Sequence, residues 1–287
     1  MITTNGIAIL AALAKYYLLC RPQVQRLCFP HHRDGRSTRK HLSKLVRAGL
    51  VSKHSTMIPY PSSGSGCPCY YLTQKGADIL ASYYDDDRFK AVNTKSPRAD
   101  MLLHWLAINE TRLNIEEAIA MHSDINLLAW YSEWQTIFQG DEKQYYLHPQ
   151  FQTNPPLSCS PDAAFLLEVN GFRKVHYVEQ DRNTSGVRRI AASKAPGYDE
   201  LRRRNGHLEH FSDANVESFT VLMVTTHEVR RNRLAEAIDD KPSSSLWRFV
   251  VQEHVTPEQF PYGEVFLHSK CEARPLVKPP DEAKGVA

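Results

Sequence analysis

Long apolar segments are missing from this chain of 287 residues, and cysteine is sparse. No apolar run reaches the roughly 18 residues that a membrane-spanning helix needs. Lys15 interrupts the N-terminal stretch IAILAALAKYYLLC, which fits an amphipathic helix better than a signal peptide. The six cysteines have no disulfide-framework density, so reduced thiols are expected. These absences predict a cytoplasmic protein with no membrane partner.

The composition excludes an intrinsically disordered chain. Hydrophobic residues make up 42% of the sequence, which suffices for a buried core, and the length predicts about two domains. Helical and strand-like patterns both occur along the chain, so the predicted fold class is α+β.

The net charge of +3 hides an asymmetry between the two ends of the chain. Residues 1–95 carry 14 Lys and Arg against 5 Asp and Glu, whereas the rest carries 21 against 27. Residues 21–54 contain nine basic side chains and a single acid, Asp34. This density of positive charge indicates a polyanionic partner rather than an ordinary solvated face.

A helix within this basic region has one apolar and one basic side. Ser37 is predicted to cap it and Gly49 to end it, and Leu42, Leu45 and Val46 form one apolar stripe. Arg39 is expected nearer the core flank. The outward face carries Arg36, Ser37, Lys40, Lys44 and Arg47, with Ser43 at its margin.

Two short strands follow this helix, joined by the loop IPYPSSGSG, and Thr73 is predicted to cap the next helix. Three helices with such a hairpin, including the phrases RAGLV and YYLTQKG, resemble a winged helix-turn-helix over residues 5–85. The resemblance implies that residues 37–48 enter the major groove of double-stranded DNA, with Lys53 and His54 of the wing touching its backbone. Some winged helices bind protein instead.

Cysteine and histidine in the same region raise the question of zinc. The candidates are Cys20, Cys28, His31, His32, Cys67 and Cys69. Structural zinc uses pairs of cysteines two to four residues apart, and Cys67-Pro68-Cys69 leaves a gap of one. The spacing therefore disfavours zinc.

Acidic residues accompany a predicted β-hairpin further along the chain. The runs AAFLLEV and FRKVHYV flank Asn170-Gly171, a strong hairpin-turn dipeptide. Pairing of the strands would bring Asp162 beside Glu179 and Asp181, which share a face. Three converging carboxylates repel one another; a proton would neutralise them, and so would Mg²⁺ (or Mn²⁺), which prefers carboxylate oxygens as ligands. Alternatively, the acids lie in water or pair with nearby arginines.

The predicted order after this point is strand, strand, helix, strand, helix, strand, with a helix over 188–204 that carries Lys194 and Tyr198 at i and i+4. A Pro-Asp pair followed by Glu-x-Asp on this topology resembles the PD-(D/E)xK nuclease superfamily. With LLHWLAINETR, SPDAAF and VEQDRNT in sequence, the chain resembles the replication-relaxation family of bacterial plasmids and integrative elements.

The resemblance implies roles for individual residues. Asp162 and Glu179 correspond to metal-binding acids, and Glu133 to an acid contributed from the N-terminal helical segment of the nuclease core. Asp181 occupies the position of the motif lysine and joins the predicted metal ligands. Lys194 is the candidate to replace that lysine, and Lys174 is a poorer one on the opposite strand phase.

These observations predict a winged helix-turn-helix domain over residues 1–90, a nuclease-like domain over 97–270 and a disordered tail over 271–287. Two functions compete: a Mg²⁺-dependent DNA endonuclease acting in plasmid replication or transfer, and an inactive DNA-binding regulator or accessory factor. A homodimer and other replication or transfer proteins are further candidate partners.

Overall fold

The computed structural model describes residues 2–31, 34–58, 67–139, 142–268 and 272–278. The chain forms two compact units, Met1–Glu110 and Thr111–Ala287. The division falls inside a helix, Leu102–Ala120, whereas the sequence predicts a boundary between residues 90 and 97. The domain bounds 1–90 and 97–270 stay a prediction. None of the described helices is long and apolar enough to cross a membrane.

Unit 1, residues 1–110, combines helices with one small sheet. In chain order its elements are α1 (Thr4–Tyr16), β1 (Leu18–Cys20), α2 (Arg21–Cys28), α3 (Arg36–Arg47), β2 (Val51–Ile58), β3 (Cys67–Leu72), α4 (Gln74–Tyr84) and the first part of α5 (Leu102–Ala120). The sheet has the antiparallel order β1-β3-β2. The loop between β2 and β3, predicted as a flexible tip, lies outside the described residues.

Helix α3 confirms the predicted amphipathic pattern but begins differently. Thr38, Leu42 and Leu45 are buried. Gly35, in the left-handed conformation at φ 63°, precedes the helix, and Asp34 Oδ1 accepts a hydrogen bond from the Arg36 N–H. The predicted Ser37 cap is therefore wrong, because the Asp34-Gly35 turn already starts the helix before Ser37. The predicted Thr73 cap of α4 is confirmed, since its hydroxyl accepts from the Gly76 N–H.

Unit 2, residues 111–287, is built on a seven-stranded mixed sheet. After the second part of α5, its elements are β4 (Ile125–Ser132), β5 (Thr136–Gln139), β6 (Glu142–Tyr145), β7 (Gln150–Phe151), β8 (Leu157–Ser158), β9 (Ala163–Val169), β10 (Phe172–Gln180), α6 (Val187–Arg203), α7 (His207–His210), β11 (Phe219–Thr225), α8 (Glu228–Asp239), β12 (Trp247–Val251), β13 (Phe266–Leu267) and β14 (Ala273–Arg274). The large sheet has the order β14-β13-β12-β11-β10-β9-β4.

The predicted β-hairpin is the centre of this sheet. Strands β9 and β10 pair antiparallel, and β10 continues into the parallel pairs β10-β11 and β11-β12. Asn170 and Gly171 both have positive φ, 50° and 81°, as a two-residue hairpin turn requires. Strand β4 pairs with β9, and its register shifts by one residue between Leu127 and Ala129. The turn and this shift set the register of three neighbouring strands.

Helices α6 and α8 cover one face of the sheet. Their apolar residues join Tyr177, Met223 and Phe249 in one buried cluster. On the opposite face, the Thr111 hydroxyl donates to Gln180 Oε1 and the Asn114 amide contacts the Val255 carbonyl. Unit 2 is thus a layered α/β arrangement within an α+β chain.

The sheet extends further than the sequence predicts. The predicted order of elements ends with β12, but β13 pairs with β12 and β14 with β13. The expectation of a disordered tail from residue 271 fails for Ala273–Arg274, because these residues continue the ladder and Leu276 is buried nearby. Residues 279–287 lie outside the described residues.

Gly197 allows α6 to pack closely on the strand that precedes the hairpin. A Cβ at this position would lie 2.3 Å from the Ser158 carbonyl oxygen, a backbone atom that cannot rotate away. We expect Gly197→Ala to destabilise the protein by about 1–3 kcal/mol, the usual cost of overpacking, in a denaturant titration. Gly186→Ala is the control, because a Cβ there meets nothing within 4 Å. Equal stability of both variants would contradict this packing.

Candidate metal site and basic helix face

Three acidic residues stand in one cross-strand row of unit 2. The register that pairs Val178 with Ala163 places Asp162 opposite Glu179, and the register that pairs Ser132 with Ala163 places Glu133 opposite Asp162. Backbone hydrogen bonds show that the strand pairing continues beyond the ends of β4 and β9. The Glu133 N–H donates to the Asp162 carbonyl at 2.9 Å, and the Asp162 N–H donates to the Val178 carbonyl at 3.0 Å. Side chains opposite each other in a ladder share a face. The row lies on the α6 and α8 face.

The side chain of Glu179 is buried and fully engaged. Its exposure is 3%, its Oε1 accepts a 2.7 Å hydrogen bond from the Tyr198 hydroxyl, and its Oε2 lies 2.6 Å from Lys194 Nζ. Both partners come from α6, where a spacing of four residues puts them on one side of the helix. Lys194 also donates to the Ser160 carbonyl at 2.9 Å. The predicted replacement lysine therefore lies against the central acid of the row.

The other lysine candidate points elsewhere. Lys174 lies near the opposite end of β10, where its Nζ donates to Ser218 Oγ at 2.8 Å. The sequence made Lys174 the poorer candidate because its side chain alternates to the opposite side of β10 from Glu179, and this location is consistent with that prediction.

The charges of this cluster are coupled. Burial raises the pKa of Glu179 to about 7; Lys194 opposes the rise and the negative charge of Asp162 adds to it. Burial acts to lower the pKa of Lys194, but the charges of Glu179 and Asp162 together outweigh it and hold the pKa above its ordinary value. Lys194 is thus held in its charged form, and its charge favours the ionised form of Glu179.

Asp162 and Glu133 complete the acidic row. Asp162 Oδ2 accepts a 2.6 Å hydrogen bond from the Gln180 N–H, which fixes one side of its carboxylate. A carboxylate oxygen of Glu133 lies within 4.8 Å of one of Asp162. Glu133 follows strand β4 in a turn, so the helical position implied by the resemblance is wrong. The β-branched and aromatic residues of β4 pair along β9 instead.

Asp181 does not join the row. Arg230 of α8 binds both of its oxygens, with Nε 2.7 Å from Oδ2 and Nη2 3.0 Å from Oδ1, and both side chains are buried. The Asn183 N–H donates to Oδ1 as well, and Arg230 also donates to the Ser185 carbonyl. Both oxygens of Asp181 are thus held in a buried bidentate ion pair, and its assignment as a metal ligand stays a prediction.

The donor set of the row suits a hard divalent cation. Carboxylate oxygens are the preferred ligands of Mg²⁺ at about 2.1 Å, so two oxygens on opposite sides of one ion are about 4.2 Å apart. The Glu133 and Asp162 oxygens, within 4.8 Å of each other, are near that separation. Glu179, beside Asp162 in the row, could add a third oxygen.

Two residues close to these acids were not identified from the sequence. Arg230 carries no local signal, because its partner lies 49 positions away in the chain. His148 lies close enough to Lys194 and Asp162 for their charges to act on it; burial, followed by Lys194, lowers its pKa and Asp162 opposes this shift. The Lys194 and Tyr198 spacing was the one signal that identified the helix packed on the acids.

In unit 1, α3 presents the predicted basic face to solvent. The exposed residues include Arg36, Arg39, Lys40, Ser43, Lys44 and Arg47, and Ser37 is half-buried. Arg39 is thus exposed rather than on the core flank. Arg36 pairs with Asp34, whereas Lys40 and Lys44 have no ion-pair partner within the described parts of the chain. Four or more cations on one helix face form a strong positive surface.

The two wing residues differ in exposure. Lys53 is exposed on β2, as a backbone contact requires. His54 is only 9% exposed, and its Nε2 is 3.1 Å from the Pro97 carbonyl. This burial corrects the assignment of His54 to the DNA contact surface.

The cysteines considered and disfavoured as zinc ligands are free thiols. Cys20, Cys67 and Cys69 are buried, Cys28 is half-buried, and His31 is exposed. His32 lies outside the described residues. The expectation of no zinc stays a prediction.

Comparison with protein-family models matches the replication-relaxation family over residues 10–212. That span covers most of the chain, from α1 to the segment after α7. The chain belongs to the replication-relaxation family. No curated protein and no solved structure matches it. Membership associates this chain with replication and relaxation functions of mobile elements, and the span includes both α3 and the acidic row.

Proposed function

We propose that this replication-relaxation protein binds double-stranded DNA through unit 1, folded as a winged helix-turn-helix. The observation that carries the proposal is the exposed basic face of α3, with Thr38, Leu42 and Leu45 anchored beneath it. A helix of this width fits the major groove, and its cations lie where phosphates flank the groove. Phosphate contacts supply most of the affinity, and Lys53 on the hairpin adds one from the side.

Replacement of both Lys40 and Lys44 by alanine is expected to weaken DNA binding and flatten its salt dependence. Each phosphate-binding cation contributes about 0.9 to the slope of log affinity against log salt, so removing two reduces the slope by about 1.8. Fluorescence anisotropy with a duplex at several salt concentrations measures both quantities. The matched control is Lys90→Ala with Lys95→Ala, which removes two exposed lysines of the same unit outside α3. An unchanged slope in the α3 variant, or an equal change in the control, would remove the groove assignment.

For unit 2 we propose a PD-(D/E)xK-like nuclease function with Mg²⁺ or Mn²⁺. The supporting observation is Lys194 Nζ, 2.6 Å from Glu179 in the row with Glu133 and Asp162. The bound cation would supply Lewis acidity for phosphodiester hydrolysis. Glu133, Asp162 and Glu179 would hold it, and Lys194 would donate to a phosphate oxygen or orient the attacking water.

An inactive regulator of a mobile element is the second candidate. Two observations favour it: Asp181 stands where the motif has lysine, and Lys194 already neutralises Glu179. In this alternative, Lys194 and Arg230 replace the cation as the source of positive charge, and DNA binding by unit 1 is the whole activity. Isothermal titration calorimetry with a divalent ion separates the two candidates. The nuclease requires the acidic row to bind the ion in place of its contact with Lys194, whereas the inactive regulator requires no metal.

A further inference from the structure

Two positive charges lie together on one face of the large sheet. Tyr177 of β10 and Phe249 of β12 belong to the buried cluster beneath α6 and α8. Side chains alternate between the two faces of a strand, so Lys174 of β10 and Arg248 of β12 lie on the opposite face. The acidic row occupies the α6 and α8 face. These two cations therefore belong to a separate surface of unit 2.

The charged groups of both residues converge on the beginning of β11, the strand between β10 and β12. Lys174 Nζ donates to Oγ of Ser218, the residue before β11, at 2.8 Å. Arg248 Nη1 donates to the Trp247 carbonyl at 2.7 Å, so its guanidinium group turns back towards the start of β12. Trp247 pairs with Val221, three residues after Ser218. Because neighbouring strands are only about 4.8 Å apart, the two cations lie at the same end of the sheet.

The charge of this pair is not neutralised by acids. Within the described residues, Lys174 and Arg248 have no ion-pair partner, and their hydrogen bonds go to hydroxyl and carbonyl oxygens. Arg274 of β14, by contrast, pairs with Glu272. Burial lowers the pKa of Lys174, and the charge of Arg248 adds to that shift. Partly desolvated cations without a counter-charge favour an anionic ligand.

His176 adds an unpaired polar atom beside these cations. It lies two residues after Lys174 on the same face, is 1% exposed, and its Nδ1 is 2.6 Å from Thr220 Oγ1. Its Nε2 has no hydrogen-bond partner among the described residues. Burial, followed by the charges of Lys174 and Arg248, lowers its pKa to about 3, so the imidazole is neutral. The positive charge of the surface therefore comes from the lysine and the arginine.

An exposed aromatic ring lies next to Lys174. Phe172 is 82% exposed and precedes Lys174 by two residues, which places both side chains on one face about 7 Å apart along the strand. An exposed ring beside a cation offers a stacking surface for a flat group, and bases stack on such rings irrespective of their sequence. The surface thus combines sites for an anion and for a flat ring at a short separation.

We propose that this surface binds a mononucleotide, with its phosphate between Lys174 and Arg248 and its base on Phe172. Arginine and lysine both bind phosphate oxygens, and two cations match the two charges of a phosphate monoester. The Ser218 hydroxyl lies within reach of the same phosphate. A nucleic-acid strand needs a continuous series of cations and stacking rings, whereas the described strands of this face supply one exposed ring and one pair of cations without acidic partners.

The test is isothermal titration calorimetry of the full-length protein with deoxyadenosine monophosphate in EDTA at low salt. EDTA keeps divalent ions out of the acidic row, so metal-mediated phosphate binding there does not contribute. One nucleotide per chain should bind, and added salt should weaken its binding. The variant Lys40→Ala with Lys44→Ala should bind the nucleotide unchanged, because the basic face of α3 is a different surface.

Lys174→Gln and Arg248→Gln should each weaken nucleotide binding by at least about tenfold, because each removes a charge-assisted contact with the phosphate. Arg173→Gln is the matched control. It removes one positive charge from the same strand on the opposite face, where Arg173 pairs with Glu168, and should leave the affinity unchanged. Circular dichroism establishes that each variant is folded, and Lys174→Gln alone is sufficient for the test if Arg248→Gln does not fold.

Phe172→Ala should weaken nucleotide binding by about tenfold through the lost stacking, and it should leave the weaker binding of inorganic phosphate unchanged. A structural role for Phe172 would not separate the two ligands. Since Phe172 is exposed, its replacement should also leave the fold intact.

Four results would overturn the proposal. They are no nucleotide binding, an equal loss in Arg173→Gln and Lys174→Gln, inorganic phosphate binding as tightly as the nucleotide, and tighter binding of a single-stranded oligonucleotide that depends on Lys174. The last result would assign the surface to a nucleic-acid strand. Because the readout is nucleotide binding without metal, these outcomes do not depend on DNA binding by unit 1 or on nuclease activity.

Discussion

Asp162→Asn and Glu179→Gln should each abolish metal-dependent DNA cleavage, by at least about 100-fold, while DNA affinity stays within about twofold. Both replacements remove a negative charge and keep a hydrogen-bond acceptor of the same shape. The new asparagine amide would still accept from the Gln180 N–H, and the new glutamine amide from the Tyr198 hydroxyl, so the fold around the row is preserved. The measurement is single-turnover cleavage of plasmid and linear DNA with Mg²⁺ or Mn²⁺.

Glu168→Gln is the matched control for these variants. Glu168 belongs to the same hairpin but lies at its far end, paired with Arg173. It should cleave at the unaltered rate, and Lys194→Ala should lose rate with the acids. Cleavage that survives both acid substitutions would come from another site or from a contaminant. No cleavage and no metal binding by the unaltered protein would instead support the inactive regulator.

Arg230→Ala should destabilise unit 2 by about 3–5 kcal/mol. The substitution leaves Asp181 charged, buried and without its bidentate partner, and an unpaired buried charge carries a penalty of this size. Replacing Asp181 by Asn in the same variant removes the charge and should recover a large part of the loss. Chemical denaturation followed by tryptophan fluorescence measures the free energy of unfolding.

Arg233→Ala provides the control on the same helix. Arg233 is exposed, so its loss should change stability by no more than about 0.5 kcal/mol. If Arg230→Ala were equally mild, the ion pair would not hold Asp181. A double variant no more stable than Arg230→Ala would show that missing packing of the arginine, rather than the stranded charge, causes the effect.

Local patterns were sufficient for the hairpin and for the order of elements in unit 2. Asn170-Gly171 specifies a two-residue turn, and the turn alone fixes which residues of β9 and β10 face each other. The four-residue spacing of Lys194 and Tyr198 likewise predicted two side chains on one side of a helix. Such signals are readable because each is contained in a few consecutive residues.

The features that sequence reasoning missed depend on distant partners or on competing local choices. Arg230 and Asp181 are separated in the sequence by α6 and β11, so their contact exists only once these elements have folded. Ser37 is a good cap by type, but the Asp34-Gly35 turn starts α3 before it. Histidine is a polar residue that is often exposed, so the sequence gives no sign that His54 is buried. Its contact with the Pro97 carbonyl, 43 residues away, is visible only in the structure. Strands β13 and β14, of two residues each, are too short to carry a periodic signal.

The one-residue register shift in β4 reverses the alternation of side chains between the two faces of the sheet. Ile125 and Leu127 pair with Val169 and Leu167, on the sheet face away from α6, whereas Glu133 lies eight residues after Ile125 and faces α6. Strict alternation would put residues an even number apart on one face. Leu128, 43% exposed, is the additional residue that separates the two parts. Relatives without this insertion should carry the acid seven positions after the equivalent isoleucine, so an ungapped alignment would match it to the wrong residue.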